Sequence, residues 1–150
     1  MWALSSEIVT AIQEDLKLTI VLLDNHGFSS IGGLSQSVGS GGFGTHYRRR
    51  SAASGQLDGE VLPIDFAANA RSLGAVVLEA PDLPALVDAL EGAKTQDRTT
   101  VIVIETDPEA RVGGYESWWD VPVAEVSSME SVREARAAYE RAQKAERDYL

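Results

Sequence analysis

The stretch Leu18-Thr-Ile-Val-Leu-Leu-Asp24-Asn25-His26-Gly27-Phe28 decides how this chain is to be read. Thr19 to Leu23 is an unbroken apolar, β-branched run. A strand buried on both faces of a parallel sheet has that pattern, whereas a half-exposed strand alternates. The run stops at an acid, an amide, an imidazole and a glycine. Ligands of open α/β sheets gather beyond the carboxyl ends of the strands, so a site is expected here. Asn25 offers a neutral side-chain oxygen, and Gly27 lets a backbone carbonyl approach a ligand closely. Hard oxygens of this kind suit Mg²⁺, which also takes phosphate oxygens and water. Spacing alone favours the plainer reading, an Asx-type turn that closes the strand.

Upstream of this stretch, residues 5 to 16 read as a helix. Leu4, Ile8, Ile12 and Leu16 recur at i, i+4, Ser5 or Ser6 can cap, and Glu7 sits in the favourable first turn. Downstream, residues 28 to 60 lose periodicity and fill with glycine and serine, among them Gly32-Gly33, Gly39 and Gly41-Gly-Phe-Gly44. The segment is too glycine-rich for a regular element and long for an inert connection. It reads either as a mobile cover over a phosphate-bearing ligand or as a surface loop. A P-loop is excluded, because the Gly-Lys-Ser/Thr ending that sets a lysine on the phosphates is missing. A dinucleotide fingerprint also fails, since no buried strand leads directly into the glycines.

Regularity returns at Pro63, which suits a helix's first turn, with Phe66, Ala67, Ala70 and Leu73 on one face and Gly74 as the stop. Ala75 to Leu78 form a short strand. Asp82 caps a further helix with Pro84 in its first turn and Leu83, Leu86, Val87 and Leu90 inward. Thr100-Val-Ile-Val-Ile-Glu105 is a second buried strand. The order α-β-loop-α-β-α-β implies right-handed crossovers and a parallel sheet, hence an α/β fold. After Asp107-Pro108 the rhythm ends. Gly113 to Trp119 is irregular and aromatic, with Trp118 and Trp119 read as anchors for a tail. Residues 129 to 147 form a charged helix with the narrow stripe Val132, Ala135, Tyr139 and Ala142.

Composition narrows the function. The 150 residues suffice for one domain with a sizeable core. Cysteine is absent, which excludes disulfide and thiolate chemistry and fits a reducing cytoplasm. No apolar run approaches the roughly 18 residues of a membrane span, and the acid at Glu7 without a basic lead argues against a signal peptide. A net charge of −10 disfavours nucleic acid. Arg48-Arg49-Arg50 is the one basic cluster, read as a solvated loop with a phosphate or carboxylate clamp as the alternative. The two histidines, His26 and His46, fall short of a zinc set, and no Gly-x-Ser-x-Gly elbow supports a serine nucleophile. No residue is assigned as catalytic.

The segments Ser5 to Glu14 and Leu18 to Phe28 together resemble the second half of the thiamine diphosphate signature. That signature opens on Gly-Asp-Gly and closes on an Asn-Asn pair. Here the closing pair reads Asp24-Asn25, so its first member departs and its second matches. Asp24 to Gly39, Phe43-Gly-Thr-His-Tyr-Arg48 and Tyr115 to Val126 are similar to one branch of this enzyme family, the cyclic 1,2-dione hydrolases of myo-inositol breakdown. Counted back from Asn25, the opening triplet is expected just before Met1.

The resemblance implies a fold, a cofactor and a reaction. Residues 1–107 would be the C-terminal part of the domain that binds thiamine diphosphate, and 108–150 a helical extension with an aromatic tail. Mg²⁺ would be held by Asn25, the backbone oxygen of Gly27, the missing aspartate and the two phosphates. His26 could bond the diphosphate or an intermediate. The glutamate that activates the cofactor belongs to another domain in the family. The implied activity is hydrolysis of a C–C bond that opens the inositol-derived cyclic dione to 5-deoxy-glucuronate, in a cytoplasmic homo-oligomer, this stretch being inactive alone. An acetolactate-synthase-like enzyme and a non-catalytic remnant or binding module are the alternatives.

Overall fold

A computed structural model describes residues 5–110 and 120–146. The described residues form two compact units, one of residues 5–25 and 62–110, the other of residues 26–61 and 120–146. Leu4 of the first expected apolar stripe, and Trp118 and Trp119, lie outside the described residues.

The first unit is the α/β body. Its elements are α1 (Glu7–Gln13), β1 (Thr19–Asp24), α3 (Phe66–Ser72), β2 (Val76–Glu79), α4 (Leu83–Thr95) and β3 (Thr100–Glu105); α2 (Ser29–Ser37) belongs to the other unit. The three strands are parallel in the order β1-β3-β2, with Thr19 opposite Thr100, Asp24 opposite Glu105 and Val76 opposite Thr100. Threonines that flank or open β3 pin β1 at both ends. The Thr99 hydroxyl donates to the Leu16 carbonyl (2.7 Å) and accepts from the Leu18 N–H. Beyond the other end, the Thr106 N–H and hydroxyl both donate to the Asp24 carbonyl, at 2.8 and 3.2 Å.

Each face of the sheet has its own core. Ile8, Ala70 and Val101 are buried with Ile20, Leu22, Val77 and Val103 against them, so α1 and α3 cover that side. On the other, Ile102 and Ile104 pack with Ala80, Ala89, Ala93, Leu78 and Leu86, under α4. Central β3 is buried almost throughout, as its unbroken apolar run predicts.

β1 departs from expectation. Its exposure alternates, with Val21 41% and Leu23 59% exposed while Ile20 and Leu22 are half-buried. The register places Val21 and Leu23 on the Ile102 and Ile104 face, where α4 packs on β2 and β3. Among the described residues β1 is thus an edge strand with one covered face. A continuous apolar run fixes the strand but not how many layers cover it.

Several helices also differ from the sequence reading. α1 ends at Gln13 rather than Leu16, because Asp15 turns to φ +50°. Its buried side chains are Ile8 and Ala11, Leu16 is exposed, and Ser6 makes no side-chain cap. α3 begins at Phe66, not at Pro63, since the Asp65 carboxylate accepts from the Ala68 N–H (2.7 Å) and sets the start. Gly74 ends it at φ +96°. α4 is capped by Asp82 through the Ala85 N–H (2.8 Å), as expected, but of its expected inward face only Leu86 packs against the core. Leu83, Val87 and Leu90 are exposed, and Ala89 and Ala93 are the buried contacts. Alanines let the helix lie close to the sheet where leucines would hold it away.

The second unit contains α2, a connected loop region and α5 (Glu130–Ala145). α2 corrects the expectation that residues 28 to 60 hold no regular element. Its sequence Ser-Ser-Ile-Gly-Gly-Leu-Ser-Gln-Ser has poor helix propensity, and tertiary packing overrides it. Gly32 is buried where an added Cβ would stand 2.8 Å from the Thr45 hydroxyl. α5 shows the narrow stripe read from its sequence, with Val132 buried and Ala135, Tyr139 and Ala142 half-buried. The Ser131 hydroxyl ties its start to the Gly39 carbonyl (2.7 Å).

Candidate functional site

The carboxyl ends of all three strands carry an acid: Asp24, Glu79 and Glu105. With Asp65, Phe66 and Pro81 they line an open pocket of about 610 Å³ within the first unit. Glu79 is ion-paired to Arg71. Four carboxylates repel a bare phosphate, so this pocket is not by itself a phosphate cradle. Among the described residues no group of three or more His, Asp or Glu side chains gathers as a metal site. Asn25 and Gly27 can offer an amide and a backbone carbonyl oxygen, donors of the hard kind that Mg²⁺ takes.

Asn25 follows β1 directly, half-buried, just after the Asp24 carbonyl that Thr106 holds. His26 adopts φ +55°, the left-handed region that a non-glycine residue enters only when its surroundings force it. What forces it is a zipper between residues 26–28 and 45–47. Gly27 bridges antiparallel to His46, the Phe28 N–H donates to the Thr45 carbonyl (2.7 Å), and the Tyr47 N–H donates to the His26 carbonyl (2.8 Å). Phe28 and Tyr47 stack edge to face with centroids 5.5 Å apart. Gly27 is required for this closeness, because a Cβ there would lie 2.3 Å from the Thr45 carbonyl oxygen. The glycine admits a neighbouring strand of backbone, a reason that spacing did not disclose.

Thr45 is the buried hub of the zipper, 8% exposed. Its hydroxyl donates to the Gly42 carbonyl at 2.5 Å, and its N–H donates to the same oxygen at 3.1 Å. Sequence alone left Thr45 indistinguishable from the surrounding loop. The arginine cluster is used internally. Arg48 donates to the Gly59 carbonyl (2.9 Å) and Arg50 to the Gly55 carbonyl, while the Arg50 guanidinium lies 5.9 Å from the Phe43 ring centroid. With Arg48 bridged to Val61 and Arg49 exchanging backbone bonds with Gly59 and Glu60, residues 48–61 double back on themselves.

Residues 1–104 match the family model described as "Thiamine pyrophosphate enzyme, C-terminal TPP binding domain". Thiamine pyrophosphate is another name for thiamine diphosphate. A protein named 3D-(3,5/4)-trihydroxycyclohexane-1,2-dione hydrolase from Bacillus cereus (strain AH820) is 44% identical over 137 residues, covering 91% of this chain and 21% of the relative. Proteins of the same name from Bacillus anthracis and from Bacillus thuringiensis (strain Al Hakam) are 44% and 43% identical over the same shares. The chain spans about a fifth of the length of these relatives.

Proposed function

The chain belongs to the thiamine pyrophosphate enzymes, matching their C-terminal cofactor-binding domain, and from that premise we propose that it is the C-terminal portion of a thiamine-diphosphate-dependent carbon–carbon hydrolase. The substrate is a cyclic 1,2-diketone, 3D-(3,5/4)-trihydroxycyclohexane-1,2-dione, opened to 5-deoxy-glucuronate in myo-inositol catabolism. Residues 1–107 are the C-terminal part of the cofactor domain, and 108–150 an extension. The enzyme works as a cytoplasmic homo-oligomer without nucleic acid or membrane. The support for this reading is a 44% identical relative carrying that name, together with Asn25 and Gly27 placed just beyond the carboxyl end of β1.

The carrying observation is the zipper that fixes Gly27 and holds His26 left-handed immediately after β1. A backbone so constrained keeps its oxygens in place before a ligand arrives, which lowers the ordering cost of binding. In this reading Asn25 and the Gly27 carbonyl hold Mg²⁺, His26 bonds the diphosphate, and further ligands come from other segments of the polypeptide. Bound thiamine diphosphate supplies the carbanion stabilisation that C–C cleavage needs. The residues here bind and orient it and perform no proton transfer, so this stretch alone is inactive.

The test uses a complete enzyme containing this segment, with thiamine diphosphate and Mg²⁺. Loss of the cyclic dione is followed in parallel with pyruvate consumption. Dione loss supports the hydrolase. Acetolactate formed from pyruvate with the dione untouched overturns it and favours an acetolactate-synthase-like enzyme.

A further inference from the structure

A second pocket, also about 610 Å³, lies wholly within the second unit. Gly41, Gly42 and Gly44 form one rim, and Gln56, Leu57 and Asp58, from the far limb of the doubled-back segment, form the other. His46 and Arg48 lie on the wall between, and Met129, just before α5, also lines it. The wall is continuous with the zipper, since His46 is the residue bridged to Gly27.

The lining selects a chemical class. Most of the lining surface is apolar, but five of its eleven residues carry polar side chains: Ser40, His46, Arg48, Gln56 and Asp58. An apolar ligand would leave such groups desolvated without partners. A phosphate is poorly served, because Arg48 is the one arginine or lysine in the lining, Asp58 opposes it, and one Arg48 nitrogen is already given to the Gly59 carbonyl. A compact ligand with several hydroxyls and one carbonyl or carboxylate fits better. Arg48 and His46 can donate to the carbonyl or carboxylate, Gln56 can donate and accept, and Asp58 can accept from hydroxyls. Phe43, 61% exposed, offers an aromatic face to the C–H side of a ring, alongside Leu57 and Met129.

We propose that this pocket binds the polyhydroxylated six-carbon substrate or its ring-opened acid, with Arg48, His46, Gln56 and Asp58 as the residues that distinguish it from unhydroxylated keto acids. The proposal rests on the hydrolase reading for the identity of the ligand. Thr45 is not among these residues, since its hydroxyl is buried and given to the Gly42 carbonyl. A site built for hydroxyls rejects analogues that lack them, because its polar groups are then left unpaired.

The experiment titrates the 150-residue chain carrying Val21→Ser and Leu23→Ser, which remove exposed apolar side chains from the first unit, with D-glucuronate, myo-inositol and succinate, reading amide and side-chain NMR shifts. Glucuronate is expected to bind at millimolar concentration and to perturb residues 41–48 and 56–58, myo-inositol more weakly, and succinate at least tenfold more weakly than glucuronate. Gly41→Trp fills the rim at a position where an added Cβ meets nothing within 4 Å. It should weaken glucuronate binding at least tenfold while leaving the amide signals of β3 in place. Gln56→Leu, of similar size, should weaken it about fivefold. No binding, shifts centred elsewhere, or succinate equal to glucuronate overturns the proposal. In the complete enzyme both variants should raise KM for the dione and leave thiamine diphosphate affinity unchanged. Dione turnover without polyol binding at this pocket defeats the pocket alone. Polyol binding with no dione turnover leaves the pocket standing and defeats the hydrolase.

Discussion

At Gly27, replacing one hydrogen by a methyl group sets that carbon against the Thr45 carbonyl oxygen. Gly27→Ala is expected to cost about 1–3 kcal/mol, since backbone on both sides must move. Gly41→Ala, in open space, is the control and should be near neutral. Urea unfolding monitored in the second unit reads both, and equal midpoints would contradict the zipper's role. Asn25→Ala belongs to the same scale but reports on binding. In a complete enzyme it should weaken Mg²⁺-dependent thiamine diphosphate binding by on the order of 10- to 100-fold, by analogy with lost metal-site support. Unchanged affinity by titration calorimetry sinks the ligand assignment. Asn25, His26 and Gly27 stand out as candidates in the sequence because they end an apolar run abruptly. Gln56 and Asp58 were not, because only the folding back of residues 48–61 brings them to the loop at 40–46.

Among the elements, α4 shows how periodicity can select the wrong stripe. Counting apolar residues favours leucine and valine over alanine, yet the close approach of helix to sheet buries Ala89 and Ala93. Ala93→Leu should therefore destabilise by about 1–3 kcal/mol. Val87→Ala, on the exposed side, should stay within about 0.5 kcal/mol. Thermal unfolding of the two variants in the reverse order would mean the helix is turned the other way. α2 was illegible for a different reason: its glycines and serines carry no helical signal, and only the buried contact at Thr45 explains them. β3 was legible throughout, since a central strand is apolar on both sides. On α5, the Tyr139 phenol donates to Asp120 (2.8 Å), which raises its pKa above the ordinary tyrosine value. Because the folded value is the higher one, this link contributes stability below the unfolded pKa of about 10 and loses it as pH rises through the folded value. The absorbance titration of the chain minus that of Tyr139→Phe should show a midpoint above that of a free tyrosine; one at or below it refutes the link.

For the molecule as a whole, the uncovered side of β1 has the largest consequence. Val21 and Leu23 on the sheet, with Leu83, Val87 and Leu90 on α4, leave the first unit with apolar side chains facing outward. Apolar patches and unpaired strand edges promote association. The chain by itself is expected to self-associate at micromolar concentration, and Val21→Ser with Leu23→Ser should reduce this. A stable monomer of the unaltered chain by light scattering would contradict it. The order β1-β3-β2 also bears on how the chain is made. β1 finds its only described partner strand 81 residues later, at Thr100 opposite Thr19, and the whole second-unit loop is synthesised in between. At cellular elongation rates of about 5–20 residues per second, that gap lasts roughly 4–16 s. Throughout it the Thr-Ile-Val-Leu-Leu run lacks β3, its partner strand among the described residues, and an apolar, β-branched segment of this kind is a template for intermolecular β-pairing. On the ribosome, then, this stretch must wait for β3, the strand that the folded sheet sets beside it.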